Sequence, residues 1–156
     1  ARLRAFGCRI QAYENYMPAE RVRELGAEPV SLETLLQTSD FVTIHARLSD
    51  QTRGMLGRRE FEMMKPSAFF INTARAGLID EAALIEVLKA HKIAGAALDV
   101  FAHEPIETDN PLLSLDNVTL TPHLAGTTSN VASNSIAVIL KDLDRYFHGQ
   151  PMVNLR

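Results

Sequence analysis

The chain has 156 residues, 46% hydrophobic and 22% charged, with 16 Lys and Arg against 19 Asp and Glu for a net charge of −3. This is ordinary globular composition at a length that favours one domain, and the acidic balance excludes the basic footprint of a nucleic-acid binder. The single cysteine, Cys8, excludes an intrachain disulfide and a thiolate zinc cluster; no apolar run approaches a membrane span, and no signal-peptide core opens the chain, so a cytoplasmic protein is expected.

Residues 1–6 read as the last turns of an amphipathic helix stopped by Gly7, a helix without a start that implies sequence upstream. Residues 9–13 alternate and read as a strand. Pro18 starts a helix closed by Gly26, Val30 extends the pairing by one residue, and Ser31 caps a helix through Gln37. Residues 41–45 and 68–72 are apolar runs of the kind that strands buried on both faces show. Between them lies a short helix, residues 58–64, ended by Pro66. Asp80 caps a helix over residues 81–91, with Ala83, Leu84, Val87 and Leu88 on one face and His91 at its carboxyl end. Strands follow at 94–100 and 118–121, and Thr127 or Thr128 opens a long helix to about His148. Strands alternating with helices predict an α/β fold with a parallel sheet.

In such a sheet ligands bind beyond the carboxyl ends of the strands, and ionisable groups gather there. Glu14 follows the first strand, where an acid can accept hydrogen bonds from ribose hydroxyls or simply occupy a solvated turn. Arg75 follows the third, in Asn72-Thr73-Ala74-Arg75-Ala76-Gly77; its planar fork suits a carboxylate, and a surface ion pair with Asp80 or Glu81 is the alternative. Asp99 ends an apolar strand and needs donors, from the protein or from a ligand carboxamide. His123 follows Pro122 at the last strand, where an imidazole suits proton exchange at neutral pH, and Glu104 is placed to fix its tautomer. Cys8 reads as a small core residue. No metal-ligand spacing, nucleophile elbow or Walker-type loop occurs.

Three stretches carry a resemblance: Met64-Lys65-Pro66 through Glu81, Gly95 to Phe101 with Glu104-Pro105, and Thr121-Pro122-His123-Leu124-Ala125-Gly126. In this order and spacing they resemble the D-isomer-specific 2-hydroxyacid dehydrogenases, phosphoglycerate dehydrogenase among them, over essentially the whole chain. The resemblance implies a Rossmann-like doubly wound parallel sheet, truncated at its N-terminus so that the first strand and Gly-rich loop are missing. It divides the chain into a partial NAD-binding domain (residues 1–124) and a long C-terminal helix and tail (125–156) leading back toward an absent substrate domain.

The resemblance also implies roles. Arg75 binds the substrate carboxylate, His123 is the acid/base, Glu104 orients it and Asp99 holds the nicotinamide carboxamide. Glu14 stands where the family has an acid on the adenosine ribose, so NAD is expected ahead of NADP. Ala46, Thr73, Ala74 and Gly126 line the cofactor. Arg47 replaces the family's usual proline beside the cofactor edge, which keeps NADP open. The implied partners are a small 2-hydroxy or 2-oxo acid and a second subunit, with neither nucleic acid nor membrane. Two other readings remain at this level: a non-catalytic, NAD-sensing corepressor-like module, and an inactive fragment that binds dinucleotide poorly and pairs its exposed strand edge with another copy.

Overall fold

A computed structural model describes residues 2–153, and Ala1 and residues 154–156 of the expected helix and tail lie outside them. The chain forms two units, Ala1–Pro122 and His123–Arg156. In the first, a 3₁₀ turn (Arg2–Phe6) leads to β1 (Gln11–Ala12), α1 (Ala19–Glu24), β2 (Glu28–Pro29), α2 (Leu32–Thr38) and β3 (Phe41–Ile44). Next come α3 (Arg58–Glu62), β4 (Phe69–Asn72), a 3₁₀ turn (Ala76–Leu78), α4 (Glu81–Lys89) and β5 (Gly95–Leu98). A further 3₁₀ turn (Pro111–Ser114) precedes β6 (Val118–Leu120), and the second unit holds α5 (Val131–Phe147).

All pairing is parallel, in two sheets ordered β1–β2 and β3–β4–β5–β6. The local signals work as expected. Ser31 Oγ accepts the Thr34 N–H and Asp80 Oδ1 accepts the Ala83 N–H, each at 3.1 Å; such caps satisfy amides that the first helical turn leaves unpaired. Gly7 and Gly26 sit at φ +70° and +83°, the left-handed conformation that ends a helical turn.

The core lies on one face of the larger sheet. Phe61 of α3 and Leu84, Val87 and Leu88 of α4 pack there against alternate strand residues, including Phe70 and Leu98. Phe61 meets Phe70 edge to face at 5.2 Å. Fully burying each such side chain contributes about 1.5–3 kcal/mol.

The expectation that the apolar strands are buried on both faces is corrected. Val42, Ile44, Phe70 and Asn72 are buried, but Phe41 stays 67% and Phe69 42% exposed, stacked on each other at 5.7 Å. Helices of the core take only one face, so the second set of alternate side chains remains open in this unit. At Gly95, by contrast, contact is too close for any side chain: a Cβ there would stand 2.5 Å from the Asn117 carbonyl.

Other boundaries move for local reasons. β1 keeps only Gln11 and Ala12 of residues 9–13, because its partner β2 is as short. The helix expected to reach Met64 stops at Glu62, and α4 stops at Lys89, leaving His91 beyond it at φ +48°. α5 starts at Val131, later than Thr127 or Thr128, because Leu124–Thr127 and Thr128–Val131 backbone bonds first close two tight turns. Cys8 is exposed and so is not a core residue. α5 is amphipathic, with Ile136, Ile139, Leu140 and Leu143 on one stripe and Asn134, Lys141 and Arg145 opposite.

Candidate active site

Register fixes a row of residues at the carboxyl edge of the larger sheet. Ile44, Asn72, Leu98 and Leu120 are lateral neighbours. His45, Thr73, Asp99 and Thr121 therefore leave their strands side by side, at the roughly 4.8 Å spacing of paired strands. The Asp99 N–H bonds the Asn72 carbonyl at 2.9 Å and the Thr121 N–H bonds the Leu98 carbonyl at 3.0 Å, which carries the pairing one residue past the strands.

Asn72 shapes the turn that follows it. Its side chain is fully buried. Oδ1 accepts the Ala74 N–H at 3.0 Å and Nδ2 donates to the Arg75 carbonyl at 3.1 Å, so one amide closes the loop from inside. A second support comes from residues 47–56. The Gly54 N–H bonds the Gly77 carbonyl at 2.9 Å, and Leu56 bridges Ile79 in parallel. A Cβ at Gly77 would lie 3.1 Å from Leu48, so the two segments approach as closely as a glycine allows. Arg75 is left extended (φ −147°, ψ 139°) and exposed, with Nη1 donating to the Ala74 carbonyl at 2.7 Å.

The alternative reading of Arg75 as half of an ion pair with Asp80 or Glu81 does not hold. Asp80 caps α4, while Glu81 accepts from the Ala102 N–H and Asn110 Nδ2 at 3.1 and 3.2 Å. Among the described residues no carboxylate lies within ion-pair distance of Arg75.

Asp99 is 2% exposed, and the Thr121 hydroxyl donates to its Oδ1. Glu104 sits in the next loop, before a cis bond to Pro105, and its Oε1 accepts the Phe101 N–H at 3.1 Å. Glu14 lies two residues beyond β1 of the smaller sheet, where its Oε1 accepts the Tyr16 N–H at 2.7 Å, a turn contact that orders the carboxylate. His45 Nε2 shares a 3.0 Å hydrogen bond with Thr43. Ala46 and Ala74 are half-buried, and Arg47 and Thr73 are exposed. His123 opens the second unit at φ +54°, and Gly126 lies in the turns before α5; both are exposed.

Within the first unit, then, the fold gathers Thr73, Ala74, Arg75, Asp99 and Thr121 at one edge. The Glu104 loop leaves from the same strand as Asp99. A separate hollow of about 300 Å³, lined by Phe41, Phe69 and Asn117 among others, lies toward the opposite ends of the strands. Sequence reasoning missed four contributors: Asn72, Glu81, Asn110 and Thr121. A buried-strand Asn directly before a turn is the one signal that pointed to the first; the other three act across the fold and leave no local pattern. Among the described residues no cluster of His, Cys, Asp or Glu could hold a metal, and no helix is long and apolar enough to cross a membrane.

A parallel α/β sheet with ionisable side chains gathered at its carboxyl edge defines the class: an α/β domain of the Rossmann kind. The family can be stated as well. The model for the D-isomer specific 2-hydroxyacid dehydrogenase NAD binding domain matches residues 1–125, and the chain belongs to that family. It is 41% identical over 153 residues to a D-3-phosphoglycerate dehydrogenase of Archaeoglobus fulgidus, covering 98% of this chain and 29% of that protein. Among solved structures, D-lactate dehydrogenase with NAD+ from Lactobacillus jensenii aligns at TM-score 0.84 and 33% identity, over 98% of this chain and 50% of that one. An acyclic imino acid reductase in complex with NADPH and D-Arg aligns at 0.85 and 30%, over 97% and 48%. The chain thus spans half or less of the length of these relatives.

Proposed function

We propose that the chain carries the catalytic residues and part of the dinucleotide-binding surface of an enzyme that interconverts a D-2-hydroxy acid and its 2-oxo acid with NAD. The observation that carries this reading is the exposed Arg75 guanidinium, with no carboxylate partner among the described residues, on a turn braced from inside by buried Asn72 and on the same sheet edge as buried Asp99.

The acceptors present fit a nicotinamide dinucleotide. Asp99 and Glu14 are carboxylates at strand ends, suited to accept from a carboxamide and from ribose hydroxyls respectively. Ala46, Arg47, Thr73, Ala74 and Gly126 would line the cofactor. An acid at Glu14 disfavours a 2′-phosphate and favours NAD over NADP, although one structural relative is described with NADPH.

When bound, the nicotinamide supplies hydride at the carbonyl carbon of the 2-oxo acid. Arg75 grips the substrate carboxylate through its two-pronged fork and so fixes the carbonyl's orientation. His123 gives a proton to the carbonyl oxygen in reduction and takes it back in oxidation. Glu104 holds the imidazole in the tautomer and charge state that this transfer needs. In this reading two copies pair through the cofactor domain.

The full-length protein that contains this chain should oxidise NADH in the presence of one or more small 2-oxo acids, and Arg75→Ala and His123→Ala should each suppress that turnover. Full turnover in both variants would refute the assignment. Tight NADH binding with no turnover of any 2-oxo acid would favour the cofactor-sensing module instead.

A further inference from the structure

The side chain of Glu81, the first residue of α4, reaches out of its helix to a different loop. We propose that Glu81 is a positioning residue for the reaction assigned above, on which this inference rests: it ties the loop bearing Glu104 to the helix start that follows the Arg75 turn. The two groups facing it are both donors. The Ala102 N–H reaches Oε2 at 3.1 Å, and Asn110 Nδ2 reaches Oε1 at 3.2 Å. A carboxylate answers two donors, because it carries acceptors only. A glutamine would set an NH₂ group against one of them.

Asn110 cannot turn round to compensate without losing a second contact. Its Oδ1 accepts the Leu112 N–H at 2.9 Å, and Leu112 is 1% exposed, so the far end of the tether is anchored in the core. Ala102 lies two positions before Glu104, and the neighbouring Phe101 N–H is held by Glu104 itself at 3.1 Å. Adjacent amides are thus held by Glu104 and Glu81 in turn. On the other side, the Asp80 N–H donates to the Leu56 carbonyl at 3.0 Å, in the segment whose Gly54 N–H holds Gly77. One anchor therefore serves both the Arg75 turn and the Glu104 loop. A loop released at Ala102 and Asn110 would let Glu104 wander, and acid/base transfer falls steeply with small displacements of the groups involved.

The test uses the full-length protein, with NADH and the best 2-oxo acid found. Glu81→Gln should lower kcat about tenfold, a typical loss when a supporting partner is removed, while KM for the 2-oxo acid and for NADH stays within about twofold. The exchanged pair Glu81→Gln with Asn110→Asp restores one donor facing one acceptor and keeps the Leu112 cap. It should recover kcat to within about threefold of wild type. In parallel, hydrogen exchange at the Ala102 amide should accelerate in Glu81→Gln and slow again in the exchanged pair, with the Ala96 and Leu98 amides unmoved. An unchanged kcat, a kcat loss that the exchanged pair leaves in place, or an Ala102 amide indifferent to Glu81→Gln would overturn the proposal. Absence of turnover in the wild type would instead overturn the functional assignment, and the exchange measurement would still decide whether Glu81 holds the loop.

Discussion

Replacing Asn72 with alanine removes both hydrogen bonds that close the Arg75 turn. The side chain is fully buried, with its Oδ1 on the Ala74 N–H at 3.0 Å and its Nδ2 on the Arg75 carbonyl at 3.1 Å. Each bond contributes roughly 1 kcal/mol net, and a buried amide left without a partner adds roughly 1–3 kcal/mol. The Arg75 carbonyl belongs to an exposed residue and can turn to water, so it adds little. The expected cost of Asn72→Ala is therefore about 3–5 kcal/mol, read as a lower urea midpoint at unchanged m. Asn72→Asp keeps the acceptor for Ala74 but sets an acceptor against the Arg75 carbonyl, and should cost at least as much. A functional consequence follows, because the loop that aims Arg75 loses its internal brace: KM for the 2-oxo acid should rise by about tenfold or more in Asn72→Ala. A loss below about 0.5 kcal/mol, together with an unchanged KM, would refute the argument that this amide builds the turn.

Three further outcomes are expected. Gly95→Ala places a Cβ 2.5 Å from the Asn117 carbonyl and 3.1 Å from the Phe69 ring, and should destabilise by about 1–3 kcal/mol in the same denaturation assay. Arg75→Lys replaces a planar fork by a point charge, and should lower kcat/KM for the 2-oxo acid by about tenfold or more while leaving the melting temperature within a few degrees. Glu14→Ala removes the acid expected at the ribose, and should narrow the preference for NADH over NADPH in initial-rate measurements, with KM for the 2-oxo acid unaffected.

Much of the fold was legible because its signals are local. Ser31 and Asp80 cap helices through contacts within three residues, and the apolar runs at Phe41–Ile44 and Phe69–Asn72 become neighbouring parallel strands. What misled was the assumption that an apolar run is buried all round. Phe41 and Phe69 satisfy each other by stacking on a face the core does not occupy, and no pattern within either strand records that.

The site divides the same way. Asp99 and the Arg75 turn could be placed after their strands, because parallel register turns sequence position into a place on one edge. The groups that hold them could not. Glu81 meets Ala102 and Asn110 across 21 and 29 positions, and Thr121 meets Asp99 across 22. Such pairs exist only once crossovers have brought distant loops together. For the same reason Glu81 was legible only as a helix-start acid or a surface partner of Arg75.

The most direct measurement is a crystal structure of the full-length protein with NADH and oxamate, an unreactive carboxylate-amide isostere of a 2-oxo acid. The Arg75 guanidinium should meet the oxamate carboxylate at about 2.8 Å in a two-pronged contact, with His123 on the oxamate carbonyl oxygen and Glu104 on the far ring nitrogen. Oxamate bound elsewhere, or Arg75 and His123 turned to separate surfaces around a bound cofactor, would contradict the account.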